Sequence, residues 1–587
     1  MLNKLVTSSA LLLAGVSTVL AQTGPEAIRL NQLGFYPQAP KTAAVAADAP
    51  TAFAVVSGKD TVFRGQLSAP RTSPYSGKKT RLADFSAVRK PGKYVLVVPG
   101  VGVSYPFEIR NNVNEPVAKA SLKGFYFQRL SMPLDEKYAG KWARPAGHPD
   151  TKVLVHPSAA SASRPAGTVL SSPLGWYDAG DYNKYIVNSG ITVATLLSLH
   201  EDFPAYSQKL SVGIPESGNA VPDLLDESLY NLRWMLTMQD PTDGGVYHKL
   251  TNAKFDGMEM PHKVANTPRY VVQKSTAAAL DFAAVMAQAS RVYRAYNRPL
   301  PGLADSCQRA ALRAWEWAQK NPAVLYRQEE MNKQFDPDVT TGAYGDNNLS
   351  DEWAWAGAEL FATTGKPEYL TAAKLTEGSV SLPSWNQVRA LGYYTLLRLG
   401  KKLPAQFQNQ LPDWQKRVVA LSDTLMSGFD QRPYATVMGR TARDFIWGSS
   451  AVAANQGIAL IQAYRLTRDP RYLRGALTNL DYLLGRNATG YSFVTGLGHK
   501  TPMHIHHRPS EADGIAEPVP GLLSGGPNPG RQDKCTTYTS TAADECFTDD
   551  ACSYASNEIA INWNAPLVYL AGAIEALQGD LGRTAND

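Results

Sequence analysis

Phe547-Thr548-Asp549-Asp550, followed by Tyr554, Asn557 and Glu558 and then by Asn564-Ala565-Pro566, places carboxylates beside aromatic and amide groups at the foot of an apolar helix. Leu567, Val568, Leu570, Ala571, Ile574 and Leu577 recur at the spacing of a buried helical stripe. Asn564 is the expected N-cap of that helix, and Pro566 suits its first turn. Glu558 then sits on the irregular approach to a rigid element. A carboxyl held there, with aromatic neighbours excluding water, can keep its proton near neutral pH and donate it. A loop glutamate is more often simply solvated, so Glu558 acquires meaning only from what surrounds it.

Working outward, the same helical periodicity recurs over segments near 115–130, 191–203, 222–239, 274–296, 304–320, 350–364, 385–399, 410–426, 450–466, 470–485 and 565–578. Eleven segments, with one more expected near 367–376, make six helical hairpins. Long polar, glycine-rich loops at 140–190, 240–272, 325–350 and 487–564 alternate with them and are the expected carriers of function. Ahead of Asn114 the pattern differs. Ala27–Asn31, Thr42–Ala46, Ala52–Ser57, Thr61–Leu67 and Tyr94–Val98 are short β-rich runs, and Pro91-Gly92 marks a turn. Runs of that length and spacing predict an immunoglobulin-type β-sandwich over 25–110, acting as a structural companion to the helical domain at 114–587.

At 587 residues the chain exceeds one ordinary core. Lys4, the run Leu11–Val16 and the site Val19-Leu20-Ala21 read as a secretory signal peptide over 1–21, which predicts a secreted or periplasmic protein. No later segment has the length and purity of a membrane span, so no membrane anchor is expected. The net charge of +6 is small for this length and no basic block is interleaved with aromatics, which argues against nucleic acid as a partner. Cys307 is isolated, whereas Cys535, Cys546 and Cys552 crowd the loop before Glu558; in an oxidising compartment two of those three can form a staple, and the spacing does not say which.

The stretch Gly175-Trp176-Tyr177-Asp178-Ala179-Gly180-Asp181-Tyr182 sets two aspartates around a tight turn among three aromatics. An isolated pair of this kind is usually a solvated turn. Brought together, however, two carboxylates can hold one water between them, one as base and the other orienting it, while Trp176 and Tyr177 offer rings on which a sugar can stack. A third stretch, Ser492 to Arg508, holds four of the nine histidines. Zinc on His504, His506 and His507 lacks the usual ligand spacing; donors to sugar hydroxyls from histidine and arginine fit better.

These three stretches together resemble glycoside hydrolase family 9, an inverting cellulase family. Further matches run through Pro222–Glu227, Gly244–Lys249, Trp447–Ser450 and Asp481–Asn487, and Ile28–Gly34 is similar to the immunoglobulin-like module that often precedes this catalytic domain. The resemblance implies an all-α (α/α)6 barrel with an open cleft behind the small all-β sandwich. It also implies Asp181 as catalytic base, Asp178 as its partner on the water, and Glu558 as general acid. His506, Arg508, Tyr554 and Asp549 would bind substrate alongside Trp176 and Tyr177. An inverting pair of carboxyls lies roughly 6.5–9.5 Å apart.

The chemistry so implied needs no cofactor. Some relatives hold zinc through a cysteine just before the position of His148; here that position is Gly147, and no such zinc is expected. A structural calcium in many relatives would fall on Asp351 and Glu352, beside Ser350 and the loop Gly345–Asn348. Acidic residues at a helix start are favourable without metal, which is the competing reading. The expected activity is that of a monomeric endo-β-1,4-glucanase acting on cellulose-like, xyloglucan or mixed-linkage glucans. The alternatives are an exo-acting relative, with the insertion 511–545 walling off the cleft, and a glycan-binding surface protein that has lost its chemistry.

Overall fold

The computed structural model describes residues 24–583, so the expected signal peptide lies outside the described residues. The front of the chain forms strands β1 (Ile28–Arg29), β2 (Gly34–Phe35), β3 (Thr42–Val45), β4 (Ala52–Ser57), β5 (Asp60–Gln66), β6 (Arg71–Thr72), β7 (Lys79–Asp84), β8 (Gly92–Val98), β9 (Gly102–Val103) and β10 (Phe107–Ile109). They make two sheets, ordered β1-β3-β7-β6 and β2-β10-β8-β4-β5, with β9 paired on β8. Period-two alternation drives the arrangement: Tyr94, Leu96 and Val98 of β8 point inward, where Phe35, Phe53, Phe85 and Phe107 fill the space between the sheets. The five strands read from sequence are present. β7 escaped that reading because Lys79, Arg81 and Asp84 interrupt its apolar character, while Ala83 faces the sandwich core and Thr80, on the other face, donates to the Pro433 carbonyl.

Twelve longer helices follow: α1 (Glu115–Phe127), α2 (Ile186–Asp202), α3 (Asp223–Thr237), α4 (Thr276–Tyr293), α5 (Leu303–Lys320), α6 (Ser350–Thr364), α7 (Pro367–Ala373), α8 (Arg389–Leu399), α9 (Leu411–Met426), α10 (Ser449–Thr467), α11 (Pro470–Leu483) and α12 (Ile561–Ala576). Their contacts run in a circuit: α2 on α4, α4 on α6, α6 on α8, α8 on α9, α9 on α10, α10 on α12, and α12 back on α2. The odd-numbered helices α1, α3, α5, α7 and α11 pack on α12, α2, α4, α6 and α10. Sequence dictates the layering. α4 buries every residue but Arg291, so it must be covered all round, whereas α5 buries one face, Ala304, Cys307, Ala310, Ala311, Ala314, Trp315, Trp317 and Ala318, and leaves its charged residues on the other. Among the described residues no helix is long and apolar enough to cross a membrane.

Two readings need correction. The last helix begins at Ile561, a turn before the expected cap, because the Ile561 amide donates to the carbonyl of Asp178 at 2.8 Å. A distant segment thus supplies the first partner that a side-chain cap would have given. Asn564 lies inside the helix, where its side chain accepts from the Leu523 amide and donates to the Ser121 carbonyl, and Pro566 falls within the helix rather than in its first turn. The second correction concerns the loops before α2 and α4, which are not bare. They contribute β11 (Val153–Val155), β12 (Val169–Leu170), β13 (Lys184–Tyr185), β14 (Lys249–Asn252) and β15 (Arg269–Val271), a sheet ordered β12-β11-β15-β14-β13. The cysteine staple is Cys535–Cys552; Cys546 and Cys307 are buried thiols.

Candidate active site

The three stretches singled out in the sequence meet, and they meet through backbone. Ala179 bridges Ala560, and His506 bridges Glu558. The His506 amide donates to the Asn557 carbonyl at 2.9 Å, and the Gly180 amide donates to Glu558 Oε1 at 3.2 Å. Gly180 has to be glycine: a Cβ there would stand 2.1 Å from the His506 carbonyl oxygen. Asp178, Asp181 and Glu558 therefore border one space, although Glu558 lies far along the chain from the other two.

Asp178 is buried, and its two oxygens accept from Asn188 Nδ2 at 2.5 Å and from the Tyr344 hydroxyl at 2.8 Å. Burial first, and then the charge of Asp181, push its carboxyl up to about 8. Asp181 Oδ2 accepts from the Asn183 amide, from Asn183 Nδ2 at 2.7 Å and from the Tyr185 hydroxyl at 3.2 Å. Glu558 is half-buried, and burial followed by the negative charge of Asp181 raises its carboxyl well above the usual glutamate range. The site thus offers a carboxyl that retains its proton near neutrality, facing a carboxylate lined by donors.

The remaining predicted residues divide. Tyr554 is half-buried, edge-on to His506, with ring centres 5.9 Å apart, and 5.4 Å from the exposed ring of Trp447. His506 Nδ1 lies 2.5 Å from the Ala551 carbonyl and burial keeps the ring neutral, so Nδ1 carries the hydrogen and Nε2 is an acceptor, not the expected donor. Arg508 directs Nε to the Asp256 carbonyl and Nη1 to the Gly180 carbonyl, fixing the turn between the two aspartates. Trp176 and Tyr177 are not sugar platforms. Trp176 is fully buried on Phe125 and donates its indole N–H to Glu227, itself paired with buried Arg129; Tyr177 is buried with its hydroxyl on His148. Asp549 is spent on structure: its oxygens accept the amides of Met503 and His504, which aims the histidine segment. His507, weighed as a zinc ligand, has both ring nitrogens engaged, with Ser510 and Gln128.

Sequence reasoning missed Asn188, Tyr344, Asn183, Tyr185 and Gln128. Gln128 donates to the carbonyls of Tyr177 and Ala179 and accepts from His507, joining two of the three stretches. The one available signal was Asn183, two residues beyond Asp181, a spacing at which an amide can reach back.

Away from the cleft, Asp351 and Glu352 open α6 as expected, and both are buried with Asp281 and Asp346. Both oxygens of Asp281 and of Glu352, and one each of Asp346 and Asp351, are buried without a hydrogen-bond partner among the described residues. Burial and then mutual repulsion raise Asp281 and Glu352 well above the carboxylate range. Favourable placement at a helix start does not satisfy those oxygens. At Gly147 a cysteine has no room, since a Cβ would stand 2.6 Å from that of Pro261.

Residues 115–571 match glycosyl hydrolase family 9, and residues 23–103 match the cellulase N-terminal ig-like domain. The chain is 48% identical over 557 residues to a xyloglucan-specific endo-beta-1,4-glucanase of Bacteroides ovatus, covering 94% of each. It is 35% identical over 572 residues to endoglucanase D of Acetivibrio thermocellus, covering 94% of this chain and 85% of that one. Among solved structures, a Bacteroides ovatus family 9 protein superposes with a TM-score of 0.90 at 46% identity, covering 94% of this chain and 100% of the other. The chain belongs to glycosyl hydrolase family 9 and carries that family's immunoglobulin-like domain at its front.

Proposed function

We propose that the protein is an inverting endo-β-1,4-glucanase, with xyloglucan among its substrates, in which Glu558 is the general acid and Asp181 the general base. The observation that carries this reading is the convergence of Asp178, Asp181 and Glu558 on one space, with Glu558 held protonated by burial. A glucan chain lies across the site with its scissile oxygen at Glu558. Asp178 and Asp181 hold a water on the opposite face of the sugar. As the water attacks the anomeric carbon, Asp181 takes its proton and Glu558 gives one to the departing oxygen. The product leaves with inverted configuration, and solvent exchange returns both carboxyls to their starting states. His506 Nε2 receives a sugar hydroxyl, and the Trp447–Tyr554 pair offers ring faces to the chain. Similarity to a xyloglucan-specific relative at 48% identity supports the substrate class.

The closed helical circuit, with α1, α3, α5, α7 and α11 packed on its members, supports an (α/α)6 barrel. The partnerless oxygens of Asp281, Asp346, Asp351 and Glu352 support a structural calcium, with no part in the chemistry. The Cys535–Cys552 bond supports an oxidising location, periplasmic or extracellular. Product analysis over time on a panel of β-glucans including xyloglucan, followed by viscosity and by NMR of the nascent anomer, tests the assignment. An early fall in viscosity with α-configured products is expected. Reducing sugar released at constant viscosity would select the exo-acting alternative, and β-configured products would overturn inversion.

A further inference from the structure

Lys249 ends the Gly244–Lys249 motif and has no part in the chemistry above. It lies on β14 opposite Tyr185 of β13, and none of its surface reaches solvent. Its Nζ donates to Gln328 Oε1 at 2.7 Å, Thr341 Oγ1 at 2.9 Å and the Gly342 carbonyl at 2.6 Å. It also stands 5.5 Å and 5.6 Å from the ring centres of Tyr185 and Tyr326. Three acceptors, one for each N–H, complement an ammonium; a neutral amine has two hydrogens to give. The flanking rings favour a cation too. Burial takes the amine well below the ordinary lysine range, and the negative charge that opposes that pull is Asp181.

A run of hydrogen bonds connects the two. Thr341 Oγ1, which accepts from Nζ, lies 2.6 Å from Thr251 Oγ1. Thr251 Oγ1 lies 3.1 Å from Asn183 Oδ1 and 2.8 Å from the Asn252 carbonyl. Asn183 Nδ2 then donates to Asp181 Oδ2 at 2.7 Å. With an ammonium at its far end, the Thr341 hydroxyl must turn its own hydrogen onward to Thr251, whose single hydrogen is shared between the Asn252 carbonyl and Asn183 Oδ1, and the Asn183 amide donates to the carboxylate. Tyr185, packed on Lys249, donates to the same oxygen at 3.2 Å.

We propose that Lys249 is a positioning residue for the base: a buried ammonium that aligns Thr341, Thr251, Asn183 and Tyr185 as donors and holds Asp181 as a carboxylate. The proposal rests on the assignment of Asp181 as base. Asp178, Glu558, His506, Tyr185 and Tyr344 also face Asp181, Arg508 binds the neighbouring Gly180 carbonyl, and neutral His248 adjoins Lys249.

The test is kcat/KM against pH on uncharged hydroxyethylcellulose for the wild type and for Lys249→Met, Lys249→Arg, Thr251→Val and Asp181→Asn. Loss of the ammonium eases protonation of the base. The acidic limb of Lys249→Met is therefore expected to move up by about one pH unit, an approximately tenfold loss below the limb that recovers as pH rises, with KM unchanged. Lys249→Arg keeps the wild-type limb. A folded Lys249→Met whose limb coincides with the wild type overturns the proposal. If Lys249→Met does not fold, Thr251→Val decides: an upward shift supports the run of donors, and an unmoved limb overturns it. Near-wild-type turnover in Asp181→Asn would instead overturn the base assignment. An inactive Asp181→Asn beside an unmoved limb at Lys249 overturns the role of Lys249 alone.

Discussion

At the scale of single residues, the chemistry depends on unequal environments for similar carboxyls. Glu558→Gln removes the proton donor, and kcat is expected to fall by about 10²–10⁴ on the same glucan, with oligosaccharide binding retained in calorimetry. Stability moves differently. Glu558 has a folded pKa above its unfolded value, so its contribution is intact below the unfolded pKa and is lost as pH climbs through the raised folded one. Thermal melts across that range should show the wild type losing stability with rising pH and the Gln variant losing less. The carboxyls were legible because each lies in a short, chemically dense stretch. Trp176 and Tyr177 misled for the same reason: aromatics beside aspartates look like a sugar platform until Glu227 and His148, distant in sequence, take up their polar atoms. Tyr344 and Asn188 stand in ordinary surroundings, and only the meeting of their segments with Asp178 reveals them.

At the scale of elements, the site is a junction of three backbone segments. Gly180→Ala drives a methyl group against the His506 carbonyl and should abolish activity while the melting temperature drops only partway, as differential scanning calorimetry can show. The disulfide closes a loop of 17 residues behind Tyr554; by loop entropy alone this is worth about 3 kcal/mol, so Cys552→Ser should lower the melting temperature by several degrees. The acidic start of α6 carries a further expectation. Calcium should raise the melting temperature and EDTA lower it, more strongly at neutral than at acidic pH, because Asp281 and Glu352 must ionise to bind the ion and their raised pKa values oppose this. An unchanged melt in either condition would remove calcium from the structure. Helix positions were readable throughout, since periodicity is local. The start of α12 was not, because its first amide is satisfied by Asp178, hundreds of residues earlier.

At the scale of the whole molecule, the front sandwich is clasped onto the catalytic part by buried polar contacts. Asn31 bonds Asp481, and Gln32 donates to the Gly490 carbonyl while accepting the amides of His499 and Lys500. Gly490, His499 and Lys500 lie on the loop that continues to His506. Gln32→Ala strips partners from buried groups and is expected to cost about 1–3 kcal/mol in chemical denaturation. Where the two parts join, Glu575 of α12 accepts from Tyr36, Asn112 and the Asn114 amide, so the joint is braced rather than loose. For anyone recombining such enzymes, extra modules or flexible spacers belong ahead of the first strand. Splicing them in between Arg110 and Glu115 would pry the sandwich off the very loop that aims the histidine arm.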